Sequence, residues 1–193
     1  MRVEVFKDSY RFQNRNTTVD KRSTQKANSC TKLQVYAMRA VVQRVRSASV
    51  EVDGKLVSSI GPGLLCLIGI RNTDTVADQE FLCRKLLNFR IWPSEDSSKS
   101  WDQNVVQKGY ELLLVSQFTL YAMAKGNKPD YHLAMPPDQA RDFYQQFLER
   151  VRKEYQGDRI KDGVFGAMMS VSLVNDGPVT LQFDSQNPTG RCY

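Results

Sequence analysis

Leu173-Val-Asn175-Asp-Gly-Pro-Val-Thr180 is the stretch on which the reading of this chain turns. Two strand-like patterns, Met168 to Val174 and Val179 to Phe183, meet across its Asn-Asp-Gly-Pro centre. Asn and Asp side chains bond their own backbone, glycine tolerates positive φ and proline fixes φ, so the plain reading is a turn joining two strands. An X-Pro bond also loses most of its trans preference, and a fold can hold Gly177-Pro178 cis where function needs two carbonyls presented together. Local sequence leaves both readings open, and favours the turn.

Working outward, β patterns dominate. Ala40 to Val45 reads as a strand, followed by Ser49 to Val52, a turn at Asp53-Gly54 and Leu56 to Ile60 in a hairpin pattern. Gly61-Pro-Gly63 punctuates, and the apolar run Leu64 to Ile70 is that of a strand buried on both faces. Asp74 to Asn88 has helical spacing at Val76, Leu82, Leu86 and Leu87, with Asp74 as the candidate cap. Phe89 to Trp92 reads as a short strand, Pro93 to Ser100 as a polar loop, and Tyr110 to Leu120 returns to β character.

From Pro137 to Tyr155, apolar residues at 140, 143, 144, 147, 148, 151 and 155 follow the helical i, i+3, i+4, i+7 rule. Strands outnumber helices. The fold class expected is α/β: a layered β/β/α domain with mostly antiparallel, barrel-like sheets and two main helices packed outside.

The 193 residues carry a formal charge of +6, unevenly placed. Residues 1–37 hold 8 Lys/Arg against 3 Asp/Glu, and residues 38–193 hold 19 against 18. The chain is expected to divide into a basic, disordered extension at 1–37 and one domain at 38–193. The extension is rich in Ser, Thr and Asn, as transit peptides are, but Glu4, Asp8 and Asp20 break the acid-poor signature. A cytoplasmic protein with an upstream extension before Met38, or one sent to a mitochondrion or plastid, are the two readings. Cys30, Cys66, Cys83 and Cys192 form no Cys-x-x-Cys pair and read as reduced thiols, Cys66 in the core. No apolar run approaches the ~18 residues of a membrane span, so no membrane partner is expected.

A second segment, Ser116-Gln-Phe-Thr-Leu120, follows the apolar run Leu112 to Val115 and puts a hydroxyl, an amide and an aromatic ring at a strand end, suited to a base or ribose. Ser116-Gln-Phe-Thr119 and Asn175-Asp-Gly-Pro-Val-Thr180 together resemble the two signature motifs of the D-aminoacyl-tRNA deacylases, also called D-tyrosyl-tRNA deacylases. The likeness extends through Met38-Arg-Ala-Val-Val-Gln-Arg44-Val, Lys125-Gly-Asn-Lys-Pro129 and Lys161-Asp-Gly-Val-Phe-Gly-Ala167, over roughly residues 38–186. Five motifs in one order are far more specific than one turn.

The resemblance implies a homodimeric ester hydrolase whose partner is the 3′ terminal adenosine end of aminoacyl-tRNA, with no metal and no cofactor. It assigns Ser116 and Gln117 to the neighbourhood of the scissile ester, Phe118 to the terminal nucleoside and the backbone amides of 116–119, Thr119 included, to the oxyanion. Gly177 and Pro178 become a cis unit that one subunit inserts into its mate's site to reject L-amino acids, while glycine is not well excluded. Arg44 braces that unit, and Phe165, Gly166 and Met169 line the adenosine pocket. Lys125 and Lys128 lie near phosphate. Read without the resemblance, Phe118 is a core aromatic, and Met168 is assigned to sheet core in either case.

The residues themselves restrict the chemistry. His132 is the single histidine, so any Ser-His-Asp mechanism must use it and a zinc site is short of ligands. It reads as a structural or surface residue. Thr119 and Thr180 are weak nucleophiles without an activating base. The competing functions are a nucleic-acid-binding module acting through the basic extension and a sister deacylase accepting a small L-amino acid, against which Phe118 and Val179-Thr180 argue.

Overall fold

The computed structural model describes residues 38–186; the expected extension at 1–37 with Cys30, and Cys192, lie outside the described residues. The strands are β1 (Arg39–Val52), β2 (Lys55–Ile60), β3 (Gly63–Gly69), β4 (Glu111–Ser116), β5 (Met123–Lys125), β6 (Lys128–Asp130), β7 (Ile160–Asp162) and β8 (Ser170–Asp184). The helices are α1 (Val76–Asn88), α2 (Val105–Lys108) and α3 (Pro137–Glu154). The main sheet runs β2-β1-β3-β4-β7, and β8 pairs along the opposite edge of β1. Ser58 Oγ of β2 donates to the Asp162 carbonyl of β7 at 2.8 Å, drawing the outer strands toward a nearly closed barrel.

β3 is apolar throughout because both its faces are covered. Leu64, Cys66, Ile68 and Ile70 join Leu82 and Leu86 of α1 and Phe147, Leu148 and Val151 of α3 in the larger core cluster. Leu65 turns the other way, into a smaller cluster with Val50, Ile60, Leu113 and Val115. β4 repeats the alternation, with Leu112 and Leu114 toward the helices. α3 buries a single stripe, Ala140, Tyr144, Phe147, Leu148 and Val151, and begins with proline, whose missing N–H is one the first turn does not need. Cys66 is fully buried, and burial pushes its thiol pKa up.

Several expectations are corrected. The two segments at 40–45 and 49–52 are one strand, β1. Its inward phase switches where the register against β8 shifts between Val45 and Ser47, so Ala40 and Val42 face the helices while Val45, Ala48 and Val50 face the smaller cluster. α1 is capped at Thr75, not Asp74: Asp78 accepts from the Thr75 N–H and hydroxyl, each at 2.8 Å, while Asp74 accepts from the Arg71 N–H at 2.7 Å. Phe89 to Trp92 makes one isolated bridge, Trp92 to Gln103, rather than a strand. The β pattern of 110–120 stops at Ser116, where the backbone tightens into a 3-10 turn. Met168, expected in the core, is 92% exposed and precedes β8.

The largest correction concerns Asn175 to Pro178. It joins no hairpin, because both flanking segments belong to β8 and pair antiparallel with the same strand, β1. Gln43 faces Thr180 and Val45 faces Asn175, so Asp176 to Val179 bulge out opposite Arg44 alone.

Candidate active site

β3, β4 and β7 are mutually parallel, and their C-terminal ends open on one side, where such sheets commonly place ligands. β4 ends as the Gln117 N–H donates to the Ile68 carbonyl at 2.7 Å; Phe118–Tyr121 then form the 3-10 turn. Gly69 permits this approach, since a Cβ there would lie 2.9 Å from Leu120 Cβ, 3.1 Å from Tyr121 Cε2 and 3.3 Å from the Gln117 carbonyl. Arg39 fixes the far end: its guanidinium lies 4.8 Å from the Tyr121 ring centre, donates to the Leu120 carbonyl at 3.0 Å and pairs with Asp184 at 3.1 Å.

With Tyr121 buried behind the turn, Phe118 is directed outward and is 57% exposed, its ring edge-on to Tyr131 at 4.9 Å. An exposed ring backed by a half-buried aromatic is an anchor for a flat, apolar group. The Gln117 amide donates to the Thr119 hydroxyl. Leading N–H groups of a helical turn have no partner within it and suit developing negative charge.

A second wall starts where the Gly163 N–H donates to the Leu114 carbonyl at 3.1 Å, two residues before β4 ends. Phe165 packs on Tyr144 with ring centres 5.7 Å apart, and Arg141 of α3 stands over it at 5.1 Å. Gly166 follows with φ of 79°, a conformation glycine adopts without Cβ strain. Met169 instead packs against the smaller cluster, so the structure does not put it on the same face as Phe165.

Gly177 and Pro178 lie elsewhere. Their peptide bond is cis and both residues are exposed. Arg44, opposite the bulge, donates from Nε to the Asp176 carbonyl at 3.2 Å, pairs with the Asp176 carboxylate at 2.9 Å and donates to the Ile91 carbonyl. Ser116 aligns through Ile68 with Ala40, four residues from Arg44 along β1. That offset is about 13 Å at ~3.3 Å per residue, and three strand spacings of ~4.8 Å separate β4 from β8. Within one chain the two motifs are therefore on the order of 15–20 Å apart.

Comparison with known proteins decides the family. The profile of the D-Tyr-tRNA(Tyr) deacylases matches residues 41–184. The chain belongs to this deacylase family. It is 56% identical over 149 residues to the D-aminoacyl-tRNA deacylase of Dictyostelium discoideum, covering 77% of this chain and 99% of that protein. It is 53% identical over 151 residues to D-aminoacyl-tRNA deacylase 1 of Homo sapiens, covering 78% and 72%. Among solved structures, the c-Myc DNA Unwinding Element Binding Protein matches with a TM-score of 0.72 and 52% identity, covering 75% of this chain and 97% of that one. A probable eukaryotic D-amino acid tRNA deacylase matches with a TM-score of 0.66 at 20% identity, covering 76% and 98%, a likeness of fold alone.

Among the residues expected to form the deacylase site, the structure brings Ser116, Gln117, Phe118 and Thr119 to the same strand ends as Phe165 and Gly166, and leaves Gly177, Pro178 and Arg44 remote. Lys125 and Lys128 pair across the exposed β5–β6 hairpin, whose chain leads directly into Tyr131. His132 has a local role: its N–H and ring Nδ1 both meet Asp130 Oδ1, at 2.9 and 2.7 Å, and these bonds hold the Asp130 carboxyl below its usual range. Sequence reasoning missed Arg39, Gly69, Tyr131 and Arg141, which support the site from other elements; only strand pairing reveals the first two. Asp74, expected only as a helix cap, is also electrostatically perturbed. Burial, with Asp78 and Asp184 adding to it and the Arg71 N–H opposing, pushes the Asp74 carboxyl up to about 7.

Proposed function

We propose that this chain hydrolyses the ester linking a D-amino acid to the 3′ terminal adenosine of tRNA, and that two copies share each site. The observation that carries the shared site is the separation within one chain between Ser116–Thr119 and Gly177–Pro178. A loop that is exposed, lifted from its sheet and braced by Arg44 is built to act on something outside its own protomer. Insertion into a two-fold mate supplies that target.

On this reading Phe118, with Tyr131 at its edge, and Phe165 hold the terminal nucleoside, while Ser116 and Gln117 border the ester. The aminoacyl ester is already activated, and the neighbouring ribose hydroxyl can assist water. The protein then contributes orientation and preorganised dipoles, chiefly backbone amides of the 116–119 turn facing the oxyanion. The Gly177 and Pro178 carbonyls of the mate face the substrate α-carbon and leave no room for an L side chain. Selection by exclusion makes the site tolerant of which D-amino acid it meets and leaves glycyl-tRNA as a further substrate.

Loss of the ester from a D-aminoacyl-tRNA, followed with purified full-length chain, tests the activity. Mixing two variants expected to be impaired in deacylation, Phe118→Ala and Gly177→Ala, tests the sharing. Mixed dimers hold one site with both wild-type elements, so activity returns on mixing; its failure to return, with subunit exchange demonstrated, overturns the shared site. The excess of 8 Lys/Arg over 3 Asp/Glu in residues 1–37 favours a second reading, nucleic-acid binding through that basic extension. Deleting residues 1–37 separates the two: deacylation survives under the first, and binding collapses under the second.

A further inference from the structure

We propose that Asp176 is a positioning residue that sets the orientation of Gly177–Pro178, an inference resting on the reading of that loop as the element excluding L-amino acids. The bulge at Asp176–Val179 interrupts the ladder to β1, so its direction must be set by side chains. Arg44 supplies the closest such link from β1 among the described residues, and its guanidinium fork meets three oxygens. On one side is the Ile91 carbonyl, itself fixed: Ile91 is 2% exposed and its N–H donates to the Gln103 carbonyl at 3.0 Å. On the other side are both oxygen sources of Asp176, its carboxylate at 2.9 Å and its carbonyl at 3.2 Å from Nε.

A planar fork held at both ends transmits a fixed direction from the core to the loop, as a flexible ammonium would not. Arg44 Nη2 stands 3.3 Å from where a Gly177 Cβ would lie, so the guanidinium flanks the glycine of the loop directly. Without the carboxylate, Nε keeps one longer bond to a carbonyl of the bulge itself, and outside the bulge the fork is anchored at Ile91 alone. Arg46 does not substitute: it approaches Asp176 only to 3.9 Å and its side chain is 75% exposed. The Asp176 carboxylate is itself one-third exposed, so its charge is screened and its acceptor geometry matters more.

The test compares hydrolysis rates of matched D- and L-aminoacyl-tRNA carrying the same amino acid, with melting temperature alongside. Asp176→Ala is expected to lower the D/L rate ratio at least tenfold while remaining folded, and Asp176→Asn, which keeps an acceptor oxygen, to stay within threefold of the unsubstituted ratio. A ratio within threefold for Asp176→Ala, or equal losses in the two variants, overturns the proposal. Should the alanine variant not fold, Asp176→Ser takes its place with the same threshold. An unsubstituted chain that cleaves neither ester overturns the deacylase reading itself, whereas an active Asp176→Ala with an unchanged ratio overturns only the role of Asp176.

Discussion

Replacing Gly69 by alanine puts a methyl group against the turn that carries Ser116–Thr119. The Cβ would stand 2.9 Å from Leu120 Cβ and 3.1 Å from Tyr121 Cε2, against the ~3.5–4.0 Å of an unstrained carbon contact. Neither neighbour gives way freely: Tyr121 is 1% exposed, and the Leu120 carbonyl is held by Arg39. The turn must retreat by roughly 0.5–1 Å, and overpacking of this kind costs about 1–3 kcal/mol. A shift approaching 1 Å at a positioned reacting group costs on the order of 100-fold in rate. Urea unfolding and deacylation of a D-aminoacyl-tRNA measure the two effects. Gly54→Ala is the control, because Gly54 has φ of 74° with nothing within 4 Å of its Cβ position. It should lose about 1–2 kcal/mol from left-handed strain and keep its activity. If Gly69→Ala retains both stability and rate, Gly69 does not set the position of the turn.

Gly177→Ala places a Cβ 2.9 Å from Val179 Cγ2 at φ of 120°, and should distort the loop while the remote core stays intact. Deacylation is expected to fall at least tenfold with the helical circular dichroism unchanged; full activity would contradict the loop's role. Asp74 titrates at about 7 when folded, against ~3.9 unfolded, so the native state binds the extra proton between these values. The stability this confers is complete below about pH 4 and is lost as pH rises to about 7. Asp74→Asn cannot lose that proton, and its stability relative to the unsubstituted chain should rise by on the order of 4 kcal/mol from pH 4 to pH 8. A constant difference in urea unfolding across that range would show that Asp74 is not perturbed.

What the sequence made legible follows from what periodicity and turn chemistry encode. The 3.6-residue stripe of α3, the double-faced burial of β3 and the Asp53-Gly54 turn are local patterns, and all three stand in the structure. The Gly-Pro segment reads locally as a reversal because turn residues look the same whether the chain reverses or bulges. Only the pairing partner distinguishes them, and both halves of β8 pair with β1. Phe89 to Trp92 reads as a strand from its apolar and aromatic residues, and Ile91 and Trp92 are indeed buried, yet burial does not require a ladder.

At the site, Ser116–Thr119 was legible as chemistry at a strand end, while its supports were not. Gly69 and Arg39 lie at least 47 residues earlier in sequence and act by cross-strand contact. Arg44 was assigned by resemblance; its anchors, Ile91 and Asp176, belong to two further segments that only the folded chain brings together.

The central claim is chiral hydrolysis by a site that recognises the end of tRNA. Its most direct test is the hydrolysis of D- and L-aminoacyl-tRNA carrying the same amino acid, by purified full-length chain, with and without a chelator. Rapid, chelator-insensitive loss of the D-ester with the L-ester spared is expected. Equal attack on both esters, or on neither, would contradict it.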